Sequence, residues 1–136
     1  MALLLCLETA TKSCSVALAK DGDLLHFKEE VSEKYSHSEQ LTLFIESLVQ
    51  EQRIELSDLD AIAVSKGPGS YTGLRIGVST AKGLCYALDK PLIGVSTLEA
   101  MASGMEKKIP KQLNCPKYGA WRMEGDSAFF QAGKKI

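Results

Sequence analysis

Histidine, tryptophan and proline are scarce in this chain of 136 residues, with two, one and four copies. The histidines, His26 and His37, share neither HxxxH nor HExxH spacing, which excludes a helical two-histidine metal pair. The four cysteines, Cys6, Cys14, Cys85 and Cys115, form no CxxC pair and lie mostly in apolar surroundings. They read as buried thiols of a reducing compartment, not as a disulfide frame or a zinc site. No apolar run approaches the roughly 20 residues of a membrane helix. Met1 to Leu7 is apolar but short, lacks a basic start and meets Glu8 at once, so it does not read as a secretory signal. A cytoplasmic protein with no membrane partner is expected.

What is present is an ordinary globular composition. The hydrophobic fraction is 45% and the charged fraction 24%, enough for one domain with a core. A net charge of −1 gives no global pull toward nucleic acid. The charge is uneven, acidic from Lys28 to Asp60 and basic after Met105. Such a division fits two solvated faces or a polar partner surface.

Leu3 to Glu8 reads as a buried strand, and Ser13 to Lys20 alternates with Cys14, Val16 and Leu18 on one side. Asp21-Gly22 is a hairpin turn, followed by a third strand with Leu25 and Phe27 on one face. Ser36 and Glu39 form a capping box for a helix that buries Leu41, Phe44, Ile45, Leu48 and Val49. Leu59 to Ser65 is a short strand, leading through the Gly67 loop into a helix that runs to about Leu88. Pro91 to Val95 is another strand, and Ser96 with Glu99 starts a helix ending near Gly104. The order βββ-α-β-α-β-α requires a mixed α/β sheet whose later strands are parallel. Residues 1–104 are expected to form this lobe. Residues 105–136 read as a lysine-rich linker and a hairpin around Glu124-Gly125-Asp126, with Ala128 to Phe130 as its second strand.

The run from Gly67 to Leu84, GPGSYTGLRIGVSTAKGL, carries the sharpest choice. A strand that ends in a glycine turn and opens a helix presents free backbone N–H groups to an anion. Yet the run lacks the GxxxxGK[ST] phosphate loop, and Gly67, Gly69 and Gly73 are one residue off GxGxxG. Glu8 and Thr9 end the first strand, where a carboxylate orients a water or a metal-bound phosphate. With Gly67 and Gly69 they are the candidate cofactor-binding residues. The competing reading is close packing. Gly73, Gly77 and Ala81 recur every fourth residue, so another backbone can come near. Three glycines in a helix cost roughly 1 kcal/mol each, which close packing would offset. Leu74, Val78, Ala81, Cys85 and Leu88 are expected on the sheet. Tyr71, Gly73, Arg75, Gly77, Ala81 and His37 are then candidate residues of a partner or dimer interface. Gly77→Leu is expected to break that association and leave the domain folded. One acid without a second gives no acid–base pair, and no spacing supports a nucleophilic triad. No catalytic residue and no metal ligand is assigned.

The segments LLLCLETATKSCSVALAKDG, YSHSEQL, KGPGSYTGLRIGVSTAKGL and LIGVSTLEAMA together resemble the TsaB (YeaZ) family of bacterial tRNA threonylcarbamoyladenosine synthesis. The likeness covers roughly Leu3 to Ser103, with an echo in WRMEGDSAFF. It implies an RNase H-like lobe of the actin-like ATPase (ASKHA) architecture, and a second lobe begun after Met105. It also implies a non-catalytic subunit that pairs with a TsaD-like transferase and a TsaE-like ATPase, forms a homodimer without them, and meets tRNA only through the complex. TsaD carries metal-binding histidines that TsaB lacks, as this chain does. The wider family has been labelled M22 glycoprotease, so a nucleotide-dependent ASKHA enzyme or a protease is the alternative. Two departures stand out. Family members are longer, and Gly119-Ala120-Trp121 replaces the aspartate expected before the second-lobe arginine. The inter-lobe cleft is therefore expected to be incomplete, with no cofactor in this chain and ATP with magnesium only in the full complex.

Overall fold

The computed structural model describes residues 2–31, 37–106 and four two-residue strands further on. Three strands open the chain: β1 (Leu3–Glu8), β2 (Ser13–Lys20) and β3 (Asp23–Val31). Helix α1 (His37–Glu51), strand β4 (Ala61–Gly67), helix α2 (Tyr71–Leu88), strand β5 (Leu92–Ser96) and helix α3 (Thr97–Glu106) follow. The sheet order is β3-β2-β1-β4-β5, with β1, β2 and β3 antiparallel and β4 and β5 parallel to β1. This is the α/β class and element order expected from the sequence.

Local chemistry explains the elements. Asp21 and Gly22 both take positive φ, 51° and 86°, the pair of left-handed residues that a tight two-residue hairpin turn requires. The α1 stripe is as read, with Leu41, Ile45 and Leu48 buried and Phe44 and Val49 packed beside them. The Ser70 hydroxyl caps α2 by accepting from the Gly73 N–H at 3.3 Å. The helix closes with Asp89 at φ 52°, in the left-handed region. The Ser96 hydroxyl likewise accepts from the Glu99 N–H, opening α3. Ser36 lies outside the described residues, as do the Glu124-Gly125 turn, Ala128 and Phe129. Within the described part of the tail, Asp126 lies in a strand that pairs with Tyr118, and Phe130 pairs with Lys135.

Alternation along the strands divides the sheet into two faces. Leu5, Leu7, Cys14, Val16, Leu18, Ile62 and Val64 point to one side and form the core with α1 and α2. Two sequence expectations change here. A β-bulge between Leu18 and Ala19 sets Leu25 beside Leu3, Leu18 and Ile54, while Phe27 pairs with Ala17 on the opposite face. Leu25 and Phe27 therefore do not share a face. In α2 the buried residues are Gly73, Gly77, Ala81 and Cys85; Val78 and Leu88 pack half-buried against the core as expected, whereas Leu74 is half-buried outside it. The helix sets its small residues closest to the sheet, with Ile76, Val78, Leu84 and Leu88 packed against the core beside them.

Candidate functional site

The C-terminal ends of the parallel strands β1 and β4 meet the start of α2, and here the sequence-predicted residues converge. Thr9 is fully buried, and its hydroxyl donates to the Gly73 carbonyl at 2.7 Å. A Cβ on Gly73 would strike the Thr9 carbonyl, and one on Gly77 would strike the Thr9 hydroxyl. The Ser70 N–H donates to the Ala10 carbonyl at 2.7 Å, and a Cβ on Gly69 would come within 2.7 Å of Ala10. Gly67 takes φ 120°, which only glycine adopts readily. The glycines thus bring α2 against the end of β1.

That geometry corrects one reading of the small-residue stripe. Gly73, Gly77 and Ala81 are buried inside this chain, with Thr9 as the neighbour of both glycines. They offer no surface to another subunit, and the intramolecular form of close packing is the one realised. Gly83, the third helical glycine, faces open space.

The N–H groups around the glycine turn are partly spent as well. Ser70 N–H is used on Ala10, and Gly73 N–H on the Ser70 hydroxyl. Two donors that an anion would need are already engaged within the chain.

Glu8 sits beside this junction, its carboxylate accepting from the Ala10 N–H at 2.9 Å and from the Ser65 hydroxyl. It borders a pocket of about 290 Å³ with Thr11, Ser13, Ser15, Glu29 and Thr97 among its walls. Ser13 donates its hydroxyl to Glu29 at 2.9 Å. The buried Thr97 hydroxyl has no partner among the described residues. Sequence reading missed Ser65, Glu29 and Thr97, because only strand pairing, and the packing of α3 on the sheet, brings them beside Glu8. A pocket with two carboxylates and no basic side chain among these walls repels a bare phosphate. Among the described residues no three His, Cys, Asp or Glu side chains gather into a metal-binding group.

The thiols have no activating environment. Burial pushes the Cys6 and Cys85 thiols up from the ordinary value, and burial followed by the Glu30 charge raises Cys14 to about 11. Such thiols stay protonated near neutrality and make poor nucleophiles. Cys115 lies outside the described residues.

The outer side of α2 is different. Tyr71 is 76% exposed, and the Arg75 guanidinium lies 5.8 Å from its ring centroid. They line a shallow groove of about 350 Å³ with Leu74, Val78, Ser79 and Lys82. Arg75 also borders a second groove, of about 390 Å³, toward Ser38 at the start of α1. His37 opens α1, and its side chain lies outside the described residues. Of the candidate interface residues whose side chains are described, Tyr71 and Arg75 are the ones that reach solvent, held on a helix braced from behind by Thr9.

The family model described as TsaD, tRNA N6-adenosine threonylcarbamoyltransferase, matches residues 30–119. The chain belongs to this family. Within it, the chain is similar to TsaB proteins. It is 40% identical over 106 residues to the tRNA threonylcarbamoyladenosine biosynthesis protein TsaB of Escherichia coli, covering 77% of this chain and 45% of that one. To the protein of the same name from Bacillus subtilis it is 37% identical over 101 residues, covering 74% and 43%. The solved YeaZ of Pseudomonas aeruginosa superposes with a TM-score of 0.85 at 33% identity, covering all of this chain and 64% of that one. Thermus thermophilus RuvC, solved with a Holliday junction substrate, shares the fold alone, with a TM-score of 0.53 at 8% identity over 79% of this chain and 73% of that one. The match thus spans under half the length of these two curated relatives. No helix among the described residues of this TsaB-like chain is long and apolar enough to cross a membrane.

Proposed function

We propose that this chain is a non-catalytic scaffold subunit in the cytoplasmic synthesis of tRNA N6-threonylcarbamoyladenosine, docking a TsaD-like transferase through the outer face of α2. The observation that carries the reading is the exposed Tyr71–Arg75 stack on a helix locked to the sheet by Thr9. Exposed tyrosine and arginine are the residue types that dominate binding hot spots. A helix that is already rigid loses little entropy when it is covered. The similarity to the tRNA threonylcarbamoyladenosine biosynthesis proteins TsaB of Escherichia coli and Bacillus subtilis supports the pathway. A TsaE-like ATPase completes the assembly, tRNA is reached through the complex, and the same α2 face forms a homodimer when the transferase is absent.

The test is a pull-down of the full chain against a TsaD-like transferase, followed by tRNA modification with and without the chain. Capture that Tyr71→Ala and Arg75→Ala weaken, together with modification that depends on the chain, supports the reading. Full modification by the transferase and ATPase without the chain refutes it.

A further inference from the structure

At the end of the sheet opposite the glycine turn lies a cavity of about 280 Å³ that the scaffold role does not use. Its apolar walls are Leu3 at the start of β1, Leu18 of β2, Leu25 of β3 and Ile54, which follows α1. Small-molecule pockets begin at roughly 300 Å³, so the space suits a small ligand. The β-bulge supplies one of these walls. Leu25 is its extra residue, with no partner on β2, and its side chain remains 46% exposed. A bulge gives up ladder pairing and re-aims a side chain. Here it sets a large apolar one in the cavity wall, half in water.

Three charged side chains share the cavity, and none neutralises another. Lys20 is half-buried and makes no ion pair among the described residues. The two aspartates are anchored. One Asp60 oxygen accepts from the Leu3 N–H at 2.7 Å, and one Asp58 oxygen accepts from the Glu55 N–H at 2.8 Å. The second oxygen of each has no hydrogen-bond partner among the described residues. The cavity thus offers an apolar surface, one ammonium and two fixed carboxylates with bonding capacity left over. A hydrocarbon there would strip water from these charges and return no bond. An amine alone leaves Lys20 unmatched, and a carboxylate alone meets the repulsion of two aspartates.

We propose that this cavity binds a free α-amino acid with an aliphatic side chain. Its ammonium meets Asp58 and Asp60, its carboxylate meets Lys20, and its side chain lies on Leu18, Leu25 and Ile54. The cavity shares no residue with the outer face of α2, so this inference and the transferase reading can fail separately.

The experiment titrates the full chain, labelled at its methyl groups, with L-leucine and follows it by NMR. The expected result is a saturable shift of the Leu25 and Ile54 methyls with a Kd of ~1 mM or tighter. Isocaproate lacks the ammonium of leucine and isoamylamine lacks its carboxylate. Each loses charge-assisted bonds and binds weaker by about tenfold or more. Lys20→Met weakens leucine and leaves isoamylamine unchanged. Asp58→Asn combined with Asp60→Asn keeps an oxygen for each backbone N–H, weakens leucine and does not weaken isocaproate. Tyr71→Ala leaves leucine binding unchanged. Circular dichroism checks folding, and the analogue series on the unaltered chain decides the matter should a variant unfold. No saturable shift by ~10 mM leucine, or an analogue that binds as well as leucine, overturns the proposal. So do folded charge variants that bind leucine like the parent chain.

Discussion

Thr9 fills the space that Gly77 leaves by having no side chain. The same threonine is fully buried at the end of β1 and donates its hydroxyl to Gly73, so one residue pins the first two turns of α2 to the sheet. This junction orients the outer face of α2, and several consequences can be measured.

Substitution at Gly77 acts on folding, not on association alone. Gly77→Ala improves intrinsic helix propensity by roughly 1 kcal/mol, yet its methyl would collide with the Thr9 hydroxyl. Overpacking of a tight site costs about 1–3 kcal/mol, so a net loss is expected in urea unfolding. Gly77→Leu should fail to fold, in contrast to the sequence-based expectation. Gly83→Ala is the control, because a Cβ there meets open space. It should gain about 1 kcal/mol.

Thr9→Val keeps the shape and removes the hydroxyl donated to Gly73. Loss of one buried hydrogen bond should cost about 1 kcal/mol in urea unfolding. Thr9→Ser retains the donor and removes a methyl, so its loss tests packing separately. If Thr9→Val unfolds at the wild-type urea concentration, the hydroxyl does not hold the junction.

Tyr71→Ala and Arg75→Ala alter exposed groups and should shift stability by less than about 0.5 kcal/mol. On the proposed reading each weakens binding to a TsaD-like transferase about tenfold or more, as measured by calorimetry. Because the two side chains stack, their effects should be non-additive in a double-mutant cycle. Additive effects would separate the pair.

Alkaline pH should destabilise the fold through its thiols. Cys14 is raised from 9.0 to about 11 by burial and the Glu30 charge, and Cys6 and Cys85 are raised by burial. A raised folded pKa means that the unfolded thiol ionises first. Stability is then intact below pH 9 and falls as the pH climbs from 9 through 11. Cys14→Ala should flatten that part of the profile, measured as unfolding midpoint against pH. An unchanged slope would remove Cys14 as its cause.

Much of the architecture was legible because it depends on neighbours close in sequence. The α1 stripe, the Asp21-Gly22 turn and the Ser96 cap all rest on spacings of one to four residues, where residue type dictates conformation. The bulge at Leu18/Ala19 was not legible, since it depends on how two strands accommodate each other's length. Nor were Ser65, Glu29 and Thr97 as companions of Glu8, because they come from β4, β3 and α3 and meet only when the sheet is assembled.

Sequence alone determined the α/β class, the element order and the presence of a close-packing stripe at Gly73, Gly77 and Ala81. The tertiary structure decided what that stripe packs against. Glycines every fourth residue let some backbone approach, and the spacing is the same whether that backbone belongs to this chain or to another. Only the parallel pairing of β1 with β4 carries Thr9 to the start of α2 and fills the gap from within. The solvent-facing side of the helix thereby carries Tyr71 and Arg75, with Ser79, Lys82 and Tyr86 further along.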